Sequence, residues 1–159
     1  MEKLVLLHVD DIEYHKIQNI ASRMKITVDR IPEETEITLS DISDGIVRDA
    51  RKTAVGRDPR FHFEVMDAHH MNALDASFDV VIANHVLFYC EDVQKVCREA
   101  ARVLKPGGLF VCSTYGKNHM KEIGELVEEF DDRIVLSADR LYEVFGKENG
   151  ADMLCMEFS

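Results

Sequence analysis

The sequence predicts an α/β fold, a mostly parallel sheet with helices on both faces. Two observations predict it. Short apolar runs rich in β-branched residues alternate with helix-length amphipathic segments along the 159-residue chain, the pattern of successive βαβ units. One of the runs, residues 78–83 (FDVVIA), is almost wholly apolar, as a strand covered on both faces must be. The length suits one domain, and a hydrophobic fraction of 46% is enough for a real core.

Residues 3–9 (KLVLLHV) are a short apolar run and predict the first strand. Residues 11–24 follow with apolar side chains at Ile12, Ile17, Ile20, Ala21 and Met24, a helical spacing. Pro32 argues against helix in 25–34. Residues 36–40 (EITLS) alternate as a strand does. Ser43 can cap a helix whose inner face is Ile46, Val47, Ala50 and Ala54, closed by Gly56 and Pro59. Residues 61–66 (FHFEVM) alternate again, and 78–83 give the most buried strand. Residues 91–104 form a helix with Val93, Val96, Cys97, Ala100, Val103 and Leu104 on one side, ended by Lys105-Pro106-Gly107-Gly108. A strand over 109–114, a helix over 118–130, a helix from a Ser137 cap to Phe145 and a closing strand over 152–158 complete the expectation.

The formal net charge is −11. Such a surface repels phosphate backbones and anionic membranes, and no basic patch with interleaved aromatics offsets it, so nucleic acid and membrane partners are not expected. No apolar run approaches the ~20 residues of a membrane span, and the run after Lys3 is too short for a signal-peptide core. A cytoplasmic location is expected. Cys90, Cys97, Cys112 and Cys155 form no Cys-x-x-Cys pair and fit no zinc pattern. Buried reduced thiols are the plain reading, and no metal is expected.

In parallel α/β folds ligands sit beyond the carboxyl ends of the strands. Asp41 stands at such an end, where a carboxylate can accept from a ribose diol or stabilise the helix that follows. Asp67, with Ala68 beside it, can accept from an exocyclic amine while the neighbouring N–H donates to a ring nitrogen, or it can serve a turn. His69 and His70 are adjacent, point in different directions and make a poor metal pair. Asn84 and His85 end the most buried strand. His85 is the one candidate general base, or a loop-packing residue. The glutamate-rich stretch 122–132 is a solvated helix face.

Four segments in order carry a resemblance: SDISDGIVRDARK at 40–52, FEVMDAH at 63–69, SFDVVIANHVLFY at 77–89 and REAARVLKPGGLFV at 98–111. Together they resemble the ubiquinone/menaquinone-biosynthesis-type branch of class I S-adenosylmethionine-dependent methyltransferases. The resemblance implies a Rossmann-like fold and one methyltransferase-like domain over 1–159, with 36–116 holding the core motifs and 1–35 a divergent N-terminal segment. It implies S-adenosylmethionine as cofactor. Asp41 would hold the ribose hydroxyls and Ile42 pack on the adenine. Asp67 and Ala68 would read the adenine edge, and Asn84 and His85 would lie near the methionine part. The implied reaction is methyl transfer to a small-molecule acceptor.

The chain departs from the family pattern in two places. The glycine-rich first motif, which lets backbone approach the cofactor closely, has no counterpart: no glycine precedes Gly45. The chain also ends where the family continues, so the expected fold is incomplete relative to the full one. Either residues 3–9 are the family's first strand with His8, Val9, Asp10 and Asp11 in place of the loop, or that strand is missing. The departures set against the active enzyme a second reading, a non-catalytic methyltransferase-like domain acting through binding or assembly as a homodimer. The dimer would complete a sheet that lacks its central strand.

Overall fold

The computed structural model describes residues 3–8, 32–52, 58–131, 133–134 and 141–158. Five strands form one all-parallel sheet in the order β3-β2-β1-β4-β5: β1 Lys3–His8, β2 Glu36–Asp41, β3 Phe61–Val65, β4 Phe78–Asn84 and β5 Leu104–Ser113. The first strand is therefore present and central, paired with β2 from Lys3↔Glu36 to His8↔Asp41 and with β4 from Leu4↔Val80 to Leu7↔Ala83. This removes the ground on which a homodimer was expected, because no central gap needs filling.

Alternation along the strands builds one core on each face. Val5, Leu7, Val81 and Ala83 point to one side and meet the buried face of α2 (Val93–Val103), made by Val93, Val96, Cys97, Ala100 and Val103. Leu4, Ile37, Leu39 and Phe61 point to the other side, where Ala50 of α1 (Asp44–Arg51) joins them. Helices thus cover both faces, as the apolar run at 78–83 required. The Ser43 hydroxyl caps α1 by accepting from the Ile46 N–H, and the Asp92 carboxylate caps α2 through the Lys95 N–H.

Several elements differ from the sequence reading. Asp41 is the last residue of β2 and not the first after it. Leu104 already belongs to β5, and Lys105-Pro106-Gly107-Gly108 form an irregularity inside the ladder: Leu104 pairs with Phe78 and Leu109 with Val80. Gly107 has φ +77°, and a Cβ on Gly108 would meet the Lys105 and Asp79 carbonyl oxygens at 2.9 and 3.0 Å. The glycines thus serve a bulge within the strand as much as a helix stop. The helix expected over 118–130 is α3, Lys121–Phe130, starting after Met120 at φ 58°. None of its residues is buried; its glutamates face solvent as expected, but so do Leu126 and Phe130.

The closing strand expected over 152–158 is absent. Residues 152–154 belong instead to a short helix, α5 (Gly150–Leu154), itself preceded by α4 (Leu141–Val144), and a turn follows it. Met153, Leu154 and Phe158 pack on the α2-side core at helix-like spacing, with Phe158 stacked on Phe110 at 4.7 Å. A short apolar run of this kind fits a strand and a helix about equally well, and here packing selects the helix. The helix expected over 11–24, Ala54, Gly56 and the Ser137 cap lie outside the described residues.

Candidate functional site

The sheet brings the carboxyl ends of β2, β3, β4 and β5 to one edge, and four of the singled-out groups stand there. Asp41 ends β2 and is 1% exposed. Its Oδ1 accepts the Ser43 N–H at 2.7 Å, and its carbonyl accepts the Met66 N–H at 2.9 Å. The carboxylate thus pins the turn that starts α1 and holds the end of β3 beside it. Ile42, between the two anchored residues, is pushed outward and is 57% exposed. A bare aliphatic side chain beside a buried carboxylate is an arrangement that can cover a flat apolar ring while the acid meets a diol.

Asp67 follows β3. Its Oδ1 accepts both the His69 N–H and the His69 Nδ1–H, each at 2.8 Å. The tautomer follows from the partners, since His69 Nε2 in turn accepts the Asp92 N–H at 3.4 Å. Burial works to raise the Asp67 carboxyl, but the His69 N–H and ring outweigh it and hold it below its usual range. Among the described residues none donates to Oδ2, and none accepts the N–H of the buried Ala68. One acceptor and one donor therefore remain side by side. His69, read from sequence as a poor metal ligand, is the orienting group for Asp67. No group of three His, Cys, Asp or Glu among the described residues is placed to hold a metal ion.

Arg102 of α2 holds the loop after β3 from below. It donates to Glu99 through Nε and Nη2, to the Met71 carbonyl at 3.0 Å, to the Ala73 carbonyl at 2.8 Å and to Asp75 at 2.7 Å. Glu99 Oε2 also accepts the Met71 N–H at 3.0 Å. Hydrogen bonding to Arg102 holds the Glu99 carboxyl below its ordinary range and raises the guanidinium. Sequence reasoning missed this clasp. Its only signal is an Arg three residues after a Glu on a helix, the commonest of surface patterns.

At the end of β4, Asn84 is exposed and its Oδ1 accepts from the Ser113 hydroxyl of β5. His85 takes φ +56°, the left-handed region that a bulky side chain rarely enters. Its N–H donates to Ser113 Oγ at 3.1 Å. The His85 ring stacks on Tyr115 at 4.7 Å, and Tyr115 on His119 at 4.0 Å, with Phe88 at 5.0 Å from Tyr115. Tyr115 and Ser113 were not singled out by sequence, although the end of β5 was marked as a ligand end. The site is thus split in two: the β2 and β3 ends offer groups for an adenosine, and the β4 and β5 ends offer an amide, a strained histidine and an aromatic stack. These residues fit the S-adenosyl group that the sequence resemblance implies, as far as the described residues reach.

Comparison with known proteins agrees with this frame. The family model for the methyltransferase domain matches residues 24–112, more than half of the chain. The chain is 31% identical over 98 residues to the biotin biosynthesis bifunctional protein BioHC of Saccharophagus degradans, covering 62% of this chain and 18% of that protein. It is 35% identical over 83 residues to the ubiquinone/menaquinone biosynthesis C-methyltransferase UbiE of Rickettsia peacockii, covering 51% of this chain and 34% of that one. It thus spans about a third or less of the length of these curated relatives. Among solved structures, the PH0226 protein of Pyrococcus horikoshii shares the fold with a TM-score of 0.66 and 22% identity, covering 99% of this chain and 73% of that one. The chain belongs to the methyltransferase-domain family, of the class I type whose cofactor is S-adenosylmethionine.

Proposed function

We propose that this chain binds S-adenosylmethionine across the carboxyl ends of β2, β3 and β4 and transfers its methyl group to a small-molecule acceptor in a cytoplasmic setting. The observation that carries the reading is the convergence of three unlike groups at adjacent strand ends: the buried Asp41, the exposed Ile42 and the oriented Asp67 with a free Oδ2. Asp41 meets the ribose hydroxyls, Ile42 covers the adenine, and Asp67 with the Ala68 N–H reads its edge. Asn84 and His85 face the amino-acid part. When bound, the cofactor would supply a sulfonium methyl activated for transfer to an acceptor nucleophile, with the thioether as leaving group. The protein's share is to hold donor and acceptor in line and keep water out, so a general base is optional. His85, locked by Tyr115 and Ser113, serves first to position. A surface of net charge −11 disfavours nucleic acid as the acceptor, and no described helix is long and apolar enough to cross a membrane.

A second reading, a domain of this fold that binds or assembles without catalysis, is favoured by one observation: no glycine precedes Gly45, so the sequence after β1 lacks the residue type that best allows backbone to approach an adenosine group closely. Calorimetric titration with S-adenosylhomocysteine separates the two. The enzyme reading expects micromolar binding that falls at least ~10-fold in Ile42→Asp, a substitution at an exposed side chain that leaves the fold intact. Absence of heat at millimolar ligand with the native chain sinks the cofactor reading and leaves the second.

A further inference from the structure

The turn after β3 lies along one stripe of α2. Asp92, Lys95, Glu99 and Arg102 follow one another at steps of three and four residues, so they fall on one face of the helix. They hold the turn in the same order. The Asp92 N–H donates to His69 Nε2 at 3.4 Å, and Lys95 Nζ donates to His70 Nε2 at 2.7 Å. Glu99 Oε2 then accepts the Met71 N–H at 3.0 Å, and Arg102 reaches Ala73 and Asp75.

The far half of this seam is fixed near neutral pH. Arg102 keeps its charge, and its hydrogen bonds hold the Glu99 carboxyl below the usual range. The near half, next to Asp67, depends on two lone pairs that a proton removes. An ammonium can only donate, so His70 Nε2 is unprotonated; His69 gives its Nδ1–H to Asp67 and receives at Nε2. Both rings are therefore neutral in this arrangement. A proton on Nε2 sets N–H against N–H at Asp92 and cation against ammonium at Lys95. Asp67 Oδ1 keeps the His69 ring in either state, because it accepts from Nδ1, so the contact that fails is the one with α2. The charges facing the two rings are Asp67 on the turn and Asp92, Lys95, Arg98 and Glu99 on α2. The carboxylates attract a charged ring, and Lys95 and Arg98 oppose one. Cys90, also close to Asp67, stays a neutral thiol, pushed up to about 11 by burial and by that carboxylate.

We propose that His69 and His70 are positioning residues that latch the Asp67–Ala68 pair to α2 while their rings are neutral, so that the chain holds an adenosyl ligand more tightly at neutral pH than in mild acid. The consequence for the ligand rests on the cofactor reading above; the latch itself does not. Histidine is the side chain whose charge changes between about pH 5 and 8. The neutral-ring contacts are present above that titration and are lost as pH falls through it. Asp67 does not account for a change in this window, since its carboxyl is held below its usual range and stays ionised.

Hydrogen exchange of the ligand-free chain at about pH 8 and about pH 6, corrected for intrinsic rates, reads the latch. The Asp92 amide loses at least ~3-fold of its protection in acid, while the Met71 amide, held by Glu99, keeps its own. Titration with S-adenosylhomocysteine reads the consequence: the dissociation constant of the native chain rises at least ~3-fold from about pH 8 to about pH 6. In His69→Gln/His70→Gln, whose amide oxygens accept at every pH, it changes less than ~1.5-fold. Equal Asp92 protection at the two pH values overturns the proposal, and so does a pH dependence of binding that the double variant keeps. Loss of Asp92 protection with no binding at either pH supports the latch and sinks the cofactor reading instead.

Discussion

The Arg102 clasp makes the sharpest prediction, because one side chain ties a helix to the loop that presents Asp67. In Arg102→Ala, the Met71 and Ala73 carbonyls lose their donor, the exposed Asp75 loses its cation, and the Glu99 carboxylate keeps only the Met71 N–H. Arg102 is 32% exposed and Glu99 20%, so water replaces part of what is lost. Two charge-assisted bonds to carbonyls and one partly screened ion pair sum, after that discount, to about 2 kcal/mol. For a chain of this length that lowers the melting temperature by about 6 °C. Urea unfolding followed by circular dichroism reads the change directly. Lysine offers one point charge in place of a planar fork, so Arg102→Lys recovers less than half of it. The pH dependence has a definite sign. The folded Glu99 carboxyl titrates below its ordinary value, so its contribution is present above about pH 4.3 and is lost as pH falls through the folded value. The gap between native chain and variant therefore narrows in acid. A difference under about 0.5 kcal/mol at neutral pH, or a gap that widens on acidification, refutes the reasoning. Because the loop from Asp67 to Asp75 is what the clasp secures, affinity for S-adenosylhomocysteine falls as well, although Arg102 touches no ligand.

Three further outcomes follow from single sites. Burial pushes the Cys90 and Cys97 thiols up to about 11 and also raises Cys112, while Cys155 is exposed, so a thiol reagent at pH 8 labels one cysteine fast and the other three only after unfolding; four fast thiols would contradict the packing. Asparagine tolerates the left-handed region better than histidine does, so His85→Asn keeps or slightly raises stability while removing the stack on Tyr115. If His85 only positions, turnover falls modestly at all pH values; a loss of ~100-fold or more with a missing limb in the pH profile would show that it moves a proton. Gly108→Ala forces a Cβ against two backbone oxygens and costs about 1–3 kcal/mol, read by urea unfolding; a neutral effect would mean that the bulge relaxes freely.

Much of the fold was legible because burial on two faces leaves a plain mark. The apolar run FDVVIA at 78–83 marked an inner strand, and the stripe from Val93 to Val103 marked a helix laid on it. Asp41, Asp67, Asn84 and His85 were legible for the same reason: a polar residue directly after an apolar run marks a strand end, and parallel strands bring their ends together. What escaped is what no local pattern encodes. The order of the strands, with residues 3–8 at the centre, is decided by long-range pairing. The turn from Met66 to Ser77 reads as a loop, and that Arg102 secures it depends on a contact spanning about thirty residues. The C-terminal residues were misread because apolar side chains at 153, 154, 156 and 158 satisfy a strand template and a helical one about equally.

The geometry at Asp41 also changes how its role must be tested. The carboxylate is buried and bonded to the Ser43 N–H, and Ser43 in turn caps α1. The two readings of this residue, ligand acceptor and helix stabiliser, are therefore not exclusive. Oδ1 holds the turn, and holding the turn is what presents Ile42 to the outside. Removing the carboxylate leaves the part-buried Ser43 N–H without its acceptor, at about 1 kcal/mol, and loosens the turn that presents Ile42 whether or not a ribose ever binds. Loss of binding in Asp41→Ala would accordingly not separate recognition from folding. Asp67 and Ile42 are the discriminating positions. Ile42 is exposed, so its substitution leaves the core untouched. Asp67 divides its two oxygens between structure and ligand: Oδ1 is committed to His69 and Oδ2 is not. Asp67→Asn can keep the His69 N–H bond through the amide oxygen while presenting an NH₂ where an exocyclic amine must donate, so it weakens adenine binding with little loss of stability. A variant that binds S-adenosylhomocysteine as the native chain does would remove Asp67 from the adenine edge and leave it as the turn residue that its His69 bonds already make it.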